Sequence, residues 1–243
     1  LHDERVEAER EIALGPAWVL QRHRLRLSEP MPVGMHAMLR FRTTGKVLLS
    51  PYDLAATPPV AFEEPEKGGY AWLPVDARFP RLEQAPGLDG REVDLSVYPL
   101  LGGWENLVQC ARKPSADFAW TAVAFPDEGY LWYSVRRASV LPHTLLWYSN
   151  GGRHYAPWNG RHRAVLGLED LCGFFHLGLR ESAGANWLSL SGYPTCLEGE
   201  VEFATLSGVL SFPDSGLVAG LRIEDGRIVA YDAAGRESWD SVP

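Results

Sequence analysis

Phe118-Ala119-Trp120-Thr121-Ala122-Val123-Ala124-Phe125, then Pro126-Asp127-Glu128-Gly129, then Tyr130-Leu131-Trp132-Tyr133-Ser134-Val135-Arg136: two runs of β-branched and aromatic residues flank four turn formers. Branched and aromatic side chains pack well on a pleated surface, while Pro, Asp and Gly interrupt it, so the stretch reads as strand, turn, strand. The same grammar recurs on both sides. Upstream, residues 22–27 alternate, with His23, Leu25 and Leu27 on one face and three arginines on the other, as in a half-buried antiparallel strand. Residues 35–41 and 47–50 follow as strands around the turn Thr44-Gly45. Downstream, residues 144–148 and 164–168 are strands, punctuated by Asn150-Gly151-Gly152 and Asn159-Gly160. Strands at 201–205, 209–212, 218–223 and 228–231 complete the series, and Asp225-Gly226 between the last two is the strongest hairpin signal.

Short strands at regular spacing predict an all-β chain, a single large antiparallel β-sandwich over residues 1–243 with few short helices. Residues 55–92, rich in Pro, Glu, Gly and Asp, read as a long surface excursion. Leu168, Leu171, Cys172, Phe175 and Leu179 recur at helical spacing, which predicts one or two helical turns after Glu169.

Composition agrees. Gly 24 and Pro 18 among 243 residues exceed the usual share and mean many turns. Hydrophobic residues at 46% exclude a mostly disordered chain. A formal net charge of −8 is the wrong sign for a phosphate-binding surface, so nucleic acid is not the expected partner. No apolar run approaches the ~20 residues of a membrane span, and the charged N-terminus is not a signal peptide, so the expected setting is the cytoplasm. Three separated cysteines form no disulfide framework, and neither CxxC nor HExxH occurs, so neither metal nor other cofactor is expected.

The densest run of recognition side chains is 145–170. It offers Trp147 and Trp158 as apolar ring faces and Asn159, Arg161 and His154 as paired polar donors and acceptors, the mixture a sugar needs. Trp104, Glu105 and Asn106 either reach the same site or form an ordinary turn. Glu169, read as sitting where an apolar strand leaves the sheet, is either a general base or the cap of the following turn. His154, His162 and His176 near Asp170 and Cys172 match no closed zinc pattern. His143 reads as a turn residue, and His2 and His23 as surface or edge positions.

Val165-Leu166-Gly167-Leu168-Glu169 resembles the strand-ending Glu of the galactose mutarotase-like (aldose 1-epimerase) superfamily. Leu146-Trp147-Tyr148-Ser149 is similar to its aromatic strand one hairpin earlier. Pro32-Val33-Gly34-Met35-His36-Ala37-Met38-Leu39 resembles its segment in which a His opens a strand, about 130 residues before the Glu. The resemblance covers roughly residues 18–50 and 100–235. It implies a supersandwich fold and anomer interconversion: Glu169 takes the C1 hydroxyl proton, His36 protonates the ring oxygen, and Trp147 is the sugar platform. Two features depart from the pattern. The family's earlier His-Gly-Gly segment has no counterpart, since Gly151-Gly152-Arg153-His154 comes too late. That segment is either missing from a trimmed chain or lost from a site that only binds. His36 is also followed by Ala37-Met38 instead of an aromatic residue. The expected partner is a small-molecule sugar, and a homodimer is compatible. The alternative readings are a non-catalytic carbohydrate-binding β-sandwich and a metal-dependent β-barrel enzyme.

Overall fold

The computed structural model describes residues 4–100 and 102–242; His2 lies outside them. The first strands are β1 (Val6–Leu14), β2 (Trp18–Met31), β3 (Val33–Arg40), β4 (Gly45–Leu49), β5 (Leu54–Ala56) and β6 (Arg78–Phe79). Next come β7 (Ala85–Pro86), β8 (Glu92–Val93), β9 (Val97–Tyr98), β10 (Trp104–Ala111), β11 (Phe118–Phe125) and β12 (Tyr130–Arg137). Then β13 (His143–Asn150) and β14 (Val165–Cys172) precede the short helices α1 (Leu179–Ala183) and α2 (Trp187–Leu190). The chain closes with β15 (Leu197–Ser211), β16 (Val218–Glu224), β17 (Arg227–Asp232) and β18 (Glu237–Ser241).

A seven-stranded sheet, β1-β2-β15-β12-β11-β4-β9, faces a six-stranded sheet, β3-β14-β13-β10-β5-β6, and neighbouring strands within each run antiparallel. Val47, Val123 and Phe125 from the first meet Val108, Leu146, Leu166 and Leu168 from the second in the core between them. The other face of the seven-stranded sheet is covered by the sheet β16-β17-β18, through Leu131, Tyr133 and Val135 against Val218, Leu221 and Ile228. The other face of the six-stranded sheet carries Leu107, Leu145 and Leu171 under Phe174, Phe175 and Leu188. Burial on both faces explains why β10 to β14 read as near-continuous apolar runs.

One buried ion pair crosses the sandwich. Arg136 of β12 meets Asp170 of β14 at 2.6 Å, with side-chain exposures of 2% and 5%. Ser134 donates to the same carboxylate at 2.7 Å, and Arg136 also donates to Thr144 Oγ1 and to the Leu141 and His143 carbonyls. This pins the register of β14 against the opposite sheet, one residue away from Glu169.

Several sequence readings are corrected here. Residues 55–92 are no surface excursion: Ala55, Ala56, Leu73, Phe79, Leu82 and Ala85 are buried. Glu169 does not end a strand or cap a helix; β14 continues to Cys172, and helix begins only at Leu179. Residues 201–212 hold one long strand, not two. His143 is fully buried in β13, its Nε2 2.8 Å from the Pro194 carbonyl, and burial lowers its pKa to about 4. His23 is buried and stacked on Phe203 at 4.7 Å. The hairpin at Asp225-Gly226 forms as read, both residues having positive φ (47° and 68°).

Candidate active site

Registry brings His36 and Glu169 together. Across β14, Glu169 stands opposite His36 of β3 and Leu145 of β13, while Gly167 stands opposite Met38 and Trp147. Directly paired residues share a face, so His36, Glu169, Leu145 and Trp147 project from the outer face of the six-stranded sheet. Leu107, Gln109 and Glu105 of β10, opposite Trp147, Leu145 and Ser149, continue the row.

His36 Nε2 lies 3.6 Å from Glu169 Oε1, a distance for an ion pair and too long for a hydrogen bond. His36 Nδ1 faces the Ala37 carbonyl at 3.3 Å. Both ring nitrogens therefore face oxygen atoms, the carboxylate on one side and the backbone carbonyl on the other. Gly167 makes room: a Cβ there would sit 2.9 Å from His36 Cε1 and 3.1 Å from Trp147 Cβ. Burial pushes the Glu169 carboxyl above its ordinary pKa, and the charge of His36 opposes the shift. The pair opens into a cavity of about 230 Å³, whose walls include Leu171, Phe175, His176 and Ser182.

Beside it stands a polar network around Glu105, which is fully buried. Its carboxylate accepts from Trp147 Nε1 at 2.8 Å, Ser149 Oγ at 3.1 Å and the Gly152 amide at 3.0 Å. Ser149 Oγ also contacts His162 Nδ1 at 2.6 Å. A hydroxyl has one proton, so with Ser149 donating to the carboxylate, Nδ1–H of His162 donates to Ser149. Burial raises the Glu105 pKa while these donors pull it back. The network turns the Trp147 indole, which lies 5.4 Å from the His162 ring at 30° and edge-on to Trp158.

A strap formed by residues 57–75 closes over this end of the sheet. Glu63, 2% exposed at its side chain, pairs with Arg153 Nε at 2.6 Å and accepts from Tyr155 at 3.1 Å. The Arg153 guanidinium lies 4.8 Å from the Trp147 ring and 5.1 Å from those of Phe62 and Trp158. Trp147 thus stands between His36 on one side and Arg153 and His162 on the other, next to the cavity and outside its lining.

Among the residues chosen from sequence, His36 and Glu169 meet at the cavity. Trp147 stands next to His36, 6.4 Å between ring centres, and Trp158 packs on Trp147, both outside the cavity lining. The others stand further off. Trp104 packs against Trp72, His154 is exposed beside Tyr70, and Asn159 and Arg161 are exposed on the turn after Tyr155. His154, His162 and His176 occupy separate places, and Asp170 faces the sandwich interior; among the described residues no group of three His, Cys, Asp or Glu gathers as metal ligands. Gln109, Glu63 and His176 went unassigned in sequence. Glu63 gives no local signal, because its partner lies 90 positions away. A larger hollow of about 950 Å³ lies beside β1, β2, β15 and the C-terminal sheet. It has apolar residues such as Leu20, Leu206 and Ile223, and charges already paired, as in Arg22–Glu11 and Arg24–Glu202.

Sheet order and layering define a large antiparallel sandwich, and a solved structure shares its fold. An Escherichia coli K12 protein described as a "putative aldose 1-epimerase" superposes with a TM-score of 0.52 at 12% identity, covering 85% of this chain. A galactose mutarotase-like protein from Lactobacillus casei covers 86% of this chain and 71% of its own, at 13% identity and a TM-score of 0.45. The chain spans 61% of the length of the Escherichia coli protein. No protein-family model and no curated protein matches the sequence. No helix of the described residues is long and apolar enough to cross a membrane.

Proposed function

We propose that the protein binds a free aldose or a close derivative at the cavity over β3 and β14 and interconverts its anomers. The observation that carries this reading is the side-by-side placement of His36 and Glu169 at 3.6 Å, open to that cavity. In a pyranose, the C1 hydroxyl and the ring oxygen are bound to the same carbon. The two oxygens are therefore close together, and a base and an acid that stand next to each other can reach both at once. Glu169 takes the hydroxyl proton as the C1–ring-oxygen bond breaks, and His36 delivers its Nε2 proton to the departing ring oxygen. Rotation about C1–C2 and the reverse transfers close the ring as the other anomer. Burial of Glu169 makes it a stronger base than an exposed carboxylate, and the partial exposure of His36 leaves its proton exchangeable with water.

Polarimetry or NMR on freshly dissolved α-D-glucose and α-D-galactose tests the reading. Acceleration by micromolar protein supports it. Sugar binding without acceleration transfers the site to a non-catalytic carbohydrate-binding module, and no binding of any aldose removes both.

A further inference from the structure

The cavity that holds the acid–base pair has a third polar side chain that the mechanism above leaves idle. His176 lines it together with His36 and Glu169. Its position is built, not incidental. Gln109, 1% exposed on the same sheet face, donates from Nε2 to the Gly173 carbonyl at 2.9 Å and accepts the Phe175 amide at 2.6 Å. The Phe174 amide donates to Ser182 Oγ at 3.1 Å. Phe175 adopts a positive φ of 50°, a conformation costly for a bulky residue, at the point where the chain presents His176. Phe62 of the strap packs edge-on against the imidazole at 5.1 Å and also touches Arg153, which in turn lies on Trp147. The contacts thus run from Trp147, beside the acid–base pair, round to His176.

We infer that His176 is a specificity-determining residue of this site, hydrogen-bonding an aldose hydroxyl away from C1 while His36 and Glu169 work at C1; the inference rests on the reading that the cavity takes an aldose. His176 stands exposed at the rim of the cavity. Desolvation by the groups packed around its ring, with the charge of Arg153, holds its pKa below the ordinary value. The neutral ring has one donor and one acceptor nitrogen, which suits a hydroxyl that both gives and takes a hydrogen bond. A group that binds substrate and transition state alike moves KM and leaves kcat in place.

The experiment measures His176→Ala, His176→Gln and Glu169→Gln in parallel, with D-glucose, D-galactose, D-mannose and their deoxy analogues as probes. His176→Ala is expected to raise KM about tenfold with kcat within roughly twofold, and to flatten the kcat/KM ratios among the three sugars. His176→Gln, with a planar donor and acceptor, recovers part of the loss. The deoxy sugar lacking the contacted hydroxyl binds wild type and His176→Ala equally. In NMR, the His176 imidazole proton moves on sugar addition to wild type and also to Glu169→Gln, a readout independent of turnover. If Glu169→Gln abolishes acceleration while His176→Ala keeps wild-type KM and sugar ratios, this inference falls and the anomer reading stands. If sugar moves the His176 resonance and the His176 variants bind it more weakly, yet wild type shows no acceleration, the inference stands on a binding site. If wild type binds no aldose, both fall.

Discussion

Burial raises the Glu169 carboxyl, and a raised carboxyl accepts protons more readily once ionised. In the proposed reaction the acidic limb of kcat/KM against pH is therefore expected to lie above the ordinary carboxylate range. Glu169→Gln keeps the size and one acceptor oxygen but takes no proton at neutral pH. It is expected to lower the mutarotation rate by about 10²-fold or more with sugar affinity retained; full activity in that variant would remove Glu169 as the base. Glu105 is read by a different experiment. Three donors converge on its carboxylate, so Glu105→Gln sets an NH₂ group against at least one of them. The expected cost is about 1–3 kcal/mol, together with a change in Trp147 emission. An unchanged urea midpoint and spectrum would show that the indole is held by packing alone.

At the level of elements, the strap is the part the site depends on and the sequence conceals. Its backbone is stitched down by Tyr70 N to Gly152 O, Glu105 N to Tyr70 O and His154 N to Gly68 O, and the Trp72 and Leu73 amides donate to Asn106 Oδ1. Glu63–Arg153 is its buried electrostatic anchor. Glu63→Ala leaves Arg153 without its carboxylate, and removing one member of a buried pair costs about 3–5 kcal/mol. Amide exchange across residues 62–75 is expected to quicken by roughly 10²-fold or more, ahead of the central strands. Wild-type exchange there would mean that the backbone bonds suffice. Pro, Gly and Glu in this segment looked like loop chemistry, and locally they are; what no local pattern shows is Leu73, Phe79 and Leu82 sharing one core with Val47, Val108 and Leu168. Strand β10 was hidden for a related reason. Trp104–Ala111 is buried on both faces, so it lacks the alternation that marked residues 22–27. In β14 a chance helical spacing of Leu168, Leu171 and Phe175 masked a strand that continues through Glu169.

The fold as a whole was legible because its punctuation is local. Hairpins at 126–129 and 225–226 are set by turn residues, and strands β11 and β12 follow from the runs beside them. The His36–Glu169 contact could come only from resemblance in the sequence, since 133 positions separate the pair and the register of β3 on β14 brings it together. That placement makes stability depend on pH with a definite sign. A carboxyl whose folded pKa is raised binds more protons in the folded than in the unfolded state. Its stabilising contribution is full below the unfolded pKa and is lost as pH rises through the folded one. Glu169 and Glu105, both raised chiefly by burial, therefore weaken the fold toward neutrality, where the base role proposed for Glu169 needs it ionised. Glu169→Gln removes one of these contributions. Urea midpoints measured from about pH 4 to pH 8 are thus expected to shift in favour of the variant, relative to wild type, as pH rises through the raised Glu169 pKa. A variant-minus-wild-type difference that is flat, or that shrinks with pH, would show that the folded protein does not hold this carboxyl above its unfolded pKa, and the stronger-base argument for Glu169 would go with it.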